Sequence, residues 1–337
     1  MSFSPSPEPQ EEVALTDLIE MLSYMRPAWS KAEKSFIKRF IKPLGVTQDA
    51  FGNLYKLIPN PDETLPAIVW SCHTDTVHKE AGRQRVQFDF GSIIALGSSC
   101  LGADDGAGVW LMREMILAEV PGLYIFHRAE EIGGRGSSYI ANTTPELLEG
   151  FKACVALDRA GHTSVITHQG ERCCSDAFAA SISAALNLAP GFNQEWKGDS
   201  TGIFTDSANY TDLIGECSNL SVGYMDAHSS RESLDVEFLF NLRDALIEMD
   251  FDSLTFERKP GERDFEYETS RYGSYGFMDD DSAWQAYFDM YGGVGEAKKS
   301  AEEGALLDLV KEHPEAIVKL LKDYGMNADD VRQYIWQ

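Results

Sequence analysis

Positive charge is scarce in this sequence relative to negative. Its 337 residues carry 29 Lys and Arg against 54 Asp and Glu, a formal net charge of −25. A nucleic-acid surface needs clustered cations to neutralise phosphates, so the charge argues against that class of partner. An anionic membrane surface is disfavoured on the same ground. The plainer meaning of the acidity is a soluble, self-repelling surface. Long apolar runs are missing too: none approaches the roughly 18 residues that a membrane-spanning helix needs. The cysteines are Cys72, Cys100, Cys154, Cys173, Cys174 and Cys217; they include no CxxC pair, and the vicinal Cys173–Cys174 is a poor disulfide candidate. They read as reduced thiols of an intracellular protein. The opening stretch, MSFSPSPEPQEE, is acidic and proline-rich, unlike a signal peptide. The expectation is a cytoplasmic protein that binds neither nucleic acid nor membrane.

What is present is a 43% hydrophobic chain in which strand-like and helix-like stretches alternate. Residues 1–11 read as a disordered tail. Between 12 and 40, Val13, Leu15, Leu18, Ile19 and Leu22 recur at helical spacing and predict one or two helices. GNLYKLI from Gly52 and PAIVWSCH from Pro66 read as neighbouring strands. DDGAGVWLMREMILAEV reads as an Asp/Gly-rich turn entering an apolar helix, and GLYIFHRAEE and FKACVALDRAG as further strands. DAFAASISAAL is helical, CSNLSVGYMDAHSS is strand then loop, and SLDVEFLFNLRDALIEMDF is a long amphipathic helix. This alternation predicts an α/β fold, a three-layer α/β/α sandwich around a mixed, mostly parallel central sheet. Composition changes near residue 256. Residues 1–255 therefore read as one domain, and 256–282, charged and rich in Gly and Tyr, as a linker or irregular wrap. Residues 283–337 read as a small helical appendage, with Gly325 as a helix stop and Asn327 as a cap.

Polar clusters stand at the ends of the apolar strands or in the loops just after them: His73/Asp75, Asp104/Asp105, Glu130/Glu131, Asp158 and His228. Ligands of open α/β sheets gather at the carboxyl ends of strands, so these clusters are expected to converge. Each alone has a plain explanation. A strand-end histidine is usually structural, Glu130–Glu131 would serve as a solvated face, and Asp104–Asp105 beside Gly106 as turn chemistry. Together, two histidines and several carboxylates make a nitrogen and oxygen set suited to zinc or a similar divalent ion. Without a cation, so many convergent carboxylates would repel one another severely. His73 and Asp75, two apart on a strand, would share one side of it. His78, His127, His162 and His168 read as structural or pocket-lining, and Arg135 and Arg159 as surface salt-bridge partners before substrate-gripping residues.

The strings HTDTV, GADDGAG, AEEIGGRG, LDRAG and a late HS after NLSVGY occur in the order found in co-catalytic di-zinc exopeptidases. Over residues 10–250 the sequence resembles that clan. LGADDGAGV, with D.FGNLY from Asp49, resembles the peptidase T-like tripeptidases. The short interval from Asp158 to His228, with no room for a lid domain, is instead similar to compact bacterial leucyl aminopeptidases. The resemblance implies a zinc-exopeptidase, phosphorylase/hydrolase-like fold and two divalent ions per chain, zinc or else cobalt or manganese. It implies that Asp104 bridges both ions, that His73 and Asp158 complete one site, and that Glu131 and His228 complete the other. Glu130 would be the general base on a water shared by the ions. Asp75 would support His73 by accepting from its other ring nitrogen. The Asp104–Asp105 peptide bond is often cis in such enzymes. The implied activity is a metallopeptidase cutting short peptides, as an aminopeptidase or di/tripeptidase. N-deacylases and carboxypeptidases on the same scaffold leave another amide reaction open, and a degenerate binding or assembly protein is the non-enzymatic alternative. A homo-oligomer is a further expectation.

Overall fold

The computed structural model describes residues 9–263, apart from 190, 191 and 193. The described residues open with helices α1 (Pro9–Leu22) and α2 (Lys31–Phe36), the second capped by the Ser30 hydroxyl, which accepts from the Glu33 amide. Strands β1 (Thr47–Gln48), β2 (Leu54–Ile58) and β3 (Ile68–His73) follow, then a hairpin of β4 (Val86–Asp89) and β5 (Ser92–Ala95). Next come α3 (Ala103–Leu117), β6 (Gly122–His127), α4 (Arg135–Thr143), β7 (Ala153–Arg159) and β8 (Ser164–Ile166). The last elements used below are α5 (Asp176–Asn187), β9 (Lys197–Asp199), β10 (Glu216–Ser221), β11 (Tyr224–Met225), β12 (Ser233–Asp235) and α6 (Val236–Ile247).

The large sheet runs in the order β9-β8-β10-β7-β3-β6-β2-β1. Its centre, β10-β7-β3-β6, is parallel, and antiparallel pairing appears outside it, at β6–β2 and at β10–β8. The expected mixed, mostly parallel α/β fold is therefore the observed one. β2 and β3 are not neighbours, however. β3 inserts between β6 and β7, while β2 pairs with the far side of β6. The reason lies in their faces. Every residue of β3 is buried, as a central parallel strand requires, whereas β2 carries Lys56 and an exposed Leu57 and belongs nearer the edge.

Strand alternation divides the core in two. Ile68, Trp70, Cys72, Tyr124, Phe126, Val155 and Leu157 face α1, α3, α5 and α6. Val69, Leu123, Ile125, Cys154 and Cys217 face the other way, onto Ile140 of α4, Leu148 and Tyr210. These are the three layers. α3 is apolar nearly all round because it is wedged between the sheet and the outer helices, where Trp110 stacks on Phe240 of α6 with ring centroids 4.9 Å apart.

Several local expectations change. α1 already begins at Pro9, inside the stretch read as a tail. Residues 233–235, expected to open the last helix, pair with β5 instead in a small sheet ordered β11-β12-β5-β4. The helix starts only at Val236, where the Asp235 side chain accepts from the Phe238 amide. The first part of the expected linker, residues 256–263, is fastened to the body: Phe256 packs on the core, and the Glu257 and Arg258 amides donate to Glu216 Oε1 at 2.8 and 2.9 Å. The rest of that linker, and the helical appendage expected over 283–337, lie outside the described residues. All six cysteines are buried and unpaired. Among the described residues, no helix is long and apolar enough to cross a membrane.

Candidate metal centre

The strand ends converge. His73 closes β3, Glu130 and Glu131 follow β6, Asp158 lies near the end of β7, and Asp104 sits in the turn that opens α3. His228 comes from the loop between β11 and β12. His73 Nε2 is 3.1 Å from Asp104 Oδ1, 3.7 Å from Asp158 Oδ1 and 3.9 Å from Glu130 Oε2. The other oxygen of the same aspartate, Asp104 Oδ2, is 3.1 Å from His228 Nε2, which in turn lies 3.2 Å from Glu131 Oε2. Two triads, His73/Asp104/Asp158 and Asp104/Glu131/His228, thus meet at one carboxylate, and each offers ligand atoms within 4.8 Å of one another. Their surroundings differ: the His73 side chain is 1% exposed and that of His228 52%.

Local sequence explains the turn at Asp104. Asp104 (φ −80, ψ 102) and Asp105 (φ −114, ψ 47) leave helical geometry, and the peptide bond between them is cis. Asp105 points inward, where Oδ2 accepts from the His73 amide (3.2 Å) and Oδ1 from that of Gly108 (3.0 Å). Gly108 is needed for this approach, since a Cβ there would lie 2.2 Å from the Leu157 carbonyl oxygen and 2.5 Å from Asp105 Oδ1. Asp158 is held by hydroxyls: Thr205 Oγ1 donates to Oδ2 at 2.7 Å and Tyr224 OH to Oδ1 at 3.2 Å.

Asp75 requires a correction. His73 Nδ1 lies 3.1 Å from the main-chain carbonyl of Asp75, while the carboxylate is 3.7 Å away. The strand ends at His73, so strict alternation no longer orients the residue two further on. The buried Asp75 carboxylate instead accepts from the amides of Glu130 (3.1 Å) and Glu131 (3.2 Å). It therefore holds the backbone of the glutamate pair against the end of β3.

Burial and mutual charge set the titration of the cluster. Burial opposes the imidazolium of His73, but the neighbouring Asp158 carboxylate, the bond to Asp104 and the nearby Asp75 carboxylate outweigh it and hold its pKa well above the usual histidine value. Bonds to Asp104 and Glu131 push His228 up to about 11. Burial would raise Asp104, yet its bonds to His228 and His73 pull it below the usual carboxylate range. Burial raises Glu130, Glu131 and Asp158 above theirs, with neighbouring carboxylates adding to each. Glu131 Oε1 is buried without a hydrogen-bond partner, the kind of acceptor that a cation satisfies. Nitrogen and carboxylate donors, two sets sharing one bridge and an orphaned buried oxygen all fit a pair of divalent ions.

Sequence reasoning missed the supports beneath the site. Glu33, fully buried, accepts from Arg128 Nε and Nη2, both at 2.6 Å, and from Thr74 Oγ1 at 2.7 Å. Its only local signature, Ser30-x-x-Glu33, reads as a capping box and points to a helix start, not to a site. Arg26, also fully buried, donates to the carbonyls of Thr74 (3.0 Å) and Gly102 (3.3 Å). Glu232, 2% exposed, binds the turn before Asp104. His127 is structural as expected, 2.6 Å from Tyr210 OH. Arg159 Nη2 donates to Thr201 through its carbonyl (3.2 Å) and hydroxyl (3.3 Å) rather than to a carboxylate.

No protein-family model matches the chain, and no curated protein matches it. Solved structures do. An aminopeptidase PepT from Bacillus cereus is 16% identical with a TM-score of 0.58, over 72% of this chain and 98% of that one. A tripeptidase from Staphylococcus aureus is 15% identical with a TM-score of 0.55, over 72% and 98%. The TET1 peptidase of Pyrococcus horikoshii, which can assemble into a tetrahedron or a large octahedral shell, is 16% identical with a TM-score of 0.50, over 69% and 99%. At such identities the likeness is one of fold: this chain shares the architecture on which these peptidases are built.

Proposed function

We propose that this protein is a metal-dependent exopeptidase that cuts short peptides from the amino end, with two divalent ions held by the two triads. Asp104 carries this reading: its two carboxylate oxygens face two different histidines at 3.1 Å each, which is how one residue bridges a pair of ions. The shared fold with an aminopeptidase and a tripeptidase supports it. Zinc, cobalt or manganese bound there would polarise the scissile carbonyl and acidify a water. Glu130 then does the proton work. Its Oε2 sits 3.9 Å from His73 Nε2, at the edge of the first triad, where it takes a proton from the attacking water and returns it to the departing amine. Asp75 keeps Glu130 and Glu131 in register, so that adjacent residues serve different tasks. The excess of acid across the chain favours a cationic peptide amine over a carboxylate end. Further copies of this chain are the other proposed partner, in keeping with the shell-forming peptidase of the same fold.

Glu130→Gln tests the proposal on a panel of di- and tripeptides with free or acylated amines, with ions counted by elemental analysis. The variant should keep both ions and lose about 10²–10⁴-fold in turnover. Full activity in Glu130→Gln overturns the mechanism, and cleavage of blocked amines alone overturns the aminopeptidase reading.

A further inference from the structure

Glu232 lies four residues beyond His228, at the end of the same loop. Four successive backbone amides surround its carboxylate. Leu101 and Gly102 donate to Oε2 at 2.8 and 3.1 Å, and Ala103 and Asp104 donate to Oε1 at 2.7 and 3.0 Å. Consecutive amides turned onto one anion form a nest, here filled by a side chain of the protein itself. The loop that supplies His228 therefore also grips the turn that supplies Asp104. Elsewhere the loop is tied mainly to itself, through Ser229 Oγ to the Asp226 carbonyl (2.8 Å) and the Glu232 amide to the Ser229 carbonyl (3.1 Å). His228 adopts φ +61 and is half-exposed. The first triad has a different footing, because His73 and Asp158 belong to paired central strands.

We propose that Glu232 is a positioning residue: it sets the spacing between Asp104 and His228 and so governs retention of the second ion above all, since the first ion keeps His73 and Asp158 on the central strands and shares only Asp104 with the gripped turn. The inference rests on the two-ion reading above. Glu232→Gln is the near-isosteric probe. Each carboxylate oxygen serves two amides, so a Gln oxygen satisfies one pair and its NH2 group confronts the other. Glu232→Ala removes all four bonds, and the milder Gln variant keeps the test open should Ala prevent folding.

Zinc binding to the full chain is followed by calorimetry and elemental analysis, and backbone amide exchange by mass spectrometry. Wild type should take up two ions. Glu232→Gln should hold one with the smaller loss of affinity and bind the other about 10- to 100-fold more weakly, with faster exchange at residues 101–104 and none at β3 or β7. Two ions at wild-type affinity in Glu232→Gln overturn this inference alone. Loss of both ions together with faster exchange across the sheet also overturns it, since that is a general structural role. A wild-type protein that takes up no zinc overturns the two-ion reading and this inference with it.

Discussion

Glu33→Ala should be among the most damaging substitutions available, although Glu33 is not a proposed ligand. Its carboxylate meets the Arg128 guanidinium through two bonds of 2.6 Å, accepts from Thr74 Oγ1 and the Trp29 amide at 2.7 Å each, and is fully buried. Arg128 is buried as well, with its guanidinium 4.5 Å from the Trp29 ring centroid, and cannot swing out to water without abandoning that contact. Truncating one member of such a pair leaves an uncompensated buried charge, a loss of about 3–5 kcal/mol. At about 2–4 °C per kcal/mol for a body of this size, Tm should fall by about 6–20 °C. Urea melts followed by tryptophan fluorescence would measure it, and Glu33→Ala/Arg128→Ala should cost clearly less than the two single losses added together. Thr74 lies between His73 and Asp75, so the single variant should also bind ions more weakly. A Glu33→Ala protein within about 1 kcal/mol of wild type, or strict additivity in the double variant, would refute the reasoning.

Two other outcomes follow from the site. Because neighbouring carboxylates raise the pKa of His73 and push that of His228 up to about 11, ion uptake at pH 7 should release about one proton from His228, with His73 adding to it. Calorimetry in buffers of different ionisation enthalpy reads that number, affinity should climb between pH 6 and 8, and a pH-independent affinity would exclude both histidines as ligands. In the ion-free protein the raised His228 pKa works in the opposite direction: its stabilising contribution is complete below the unfolded value of 6.5 and fades as pH rises toward about 11. Gly108→Ala, which in an ordinary helix would gain about 0.5–1 kcal/mol, should here cost about 1–3 kcal/mol in denaturant melts. The new Cβ meets the Leu157 carbonyl at 2.2 Å, and a stabilised variant would contradict that packing.

What was legible in the sequence is what sits where apolar strands end. His73, Glu130, Glu131 and Asp158 stand at or just after the ends of such runs in the central sheet, where ligands collect, whereas Asp104 opens α3 and His228 sits in a loop of the small sheet, so the strand-end rule alone does not place those two. Glu33, Arg128 and Glu232 escape notice because their partners are distant in sequence: the pattern around Glu33 signals a helix start, and Arg128, although it follows β6, gives no sign of its bond to Glu33 95 residues away. Glu232 reaches amides some 130 residues away. The Asp75 expectation failed at a strand end, where alternation stops being informative. The order of β2 and β3 was misread because sequence adjacency was given more weight than two-faced burial. The small sheet around β12 was missed since three residues, Ser233–Asp235, are too few to show a period.

The order of the chain also sets a schedule. His73, Asp104, both glutamates and Asp158 are made well before His228, and β10, which pairs with β7 in the parallel centre, is itself made late among the described strands. A growing chain therefore holds every residue of the first triad while the second still lacks its histidine and Glu232 has yet to grip the turn at Asp104. On the proposed mechanism, peptide cutting waits until synthesis has passed residue 232.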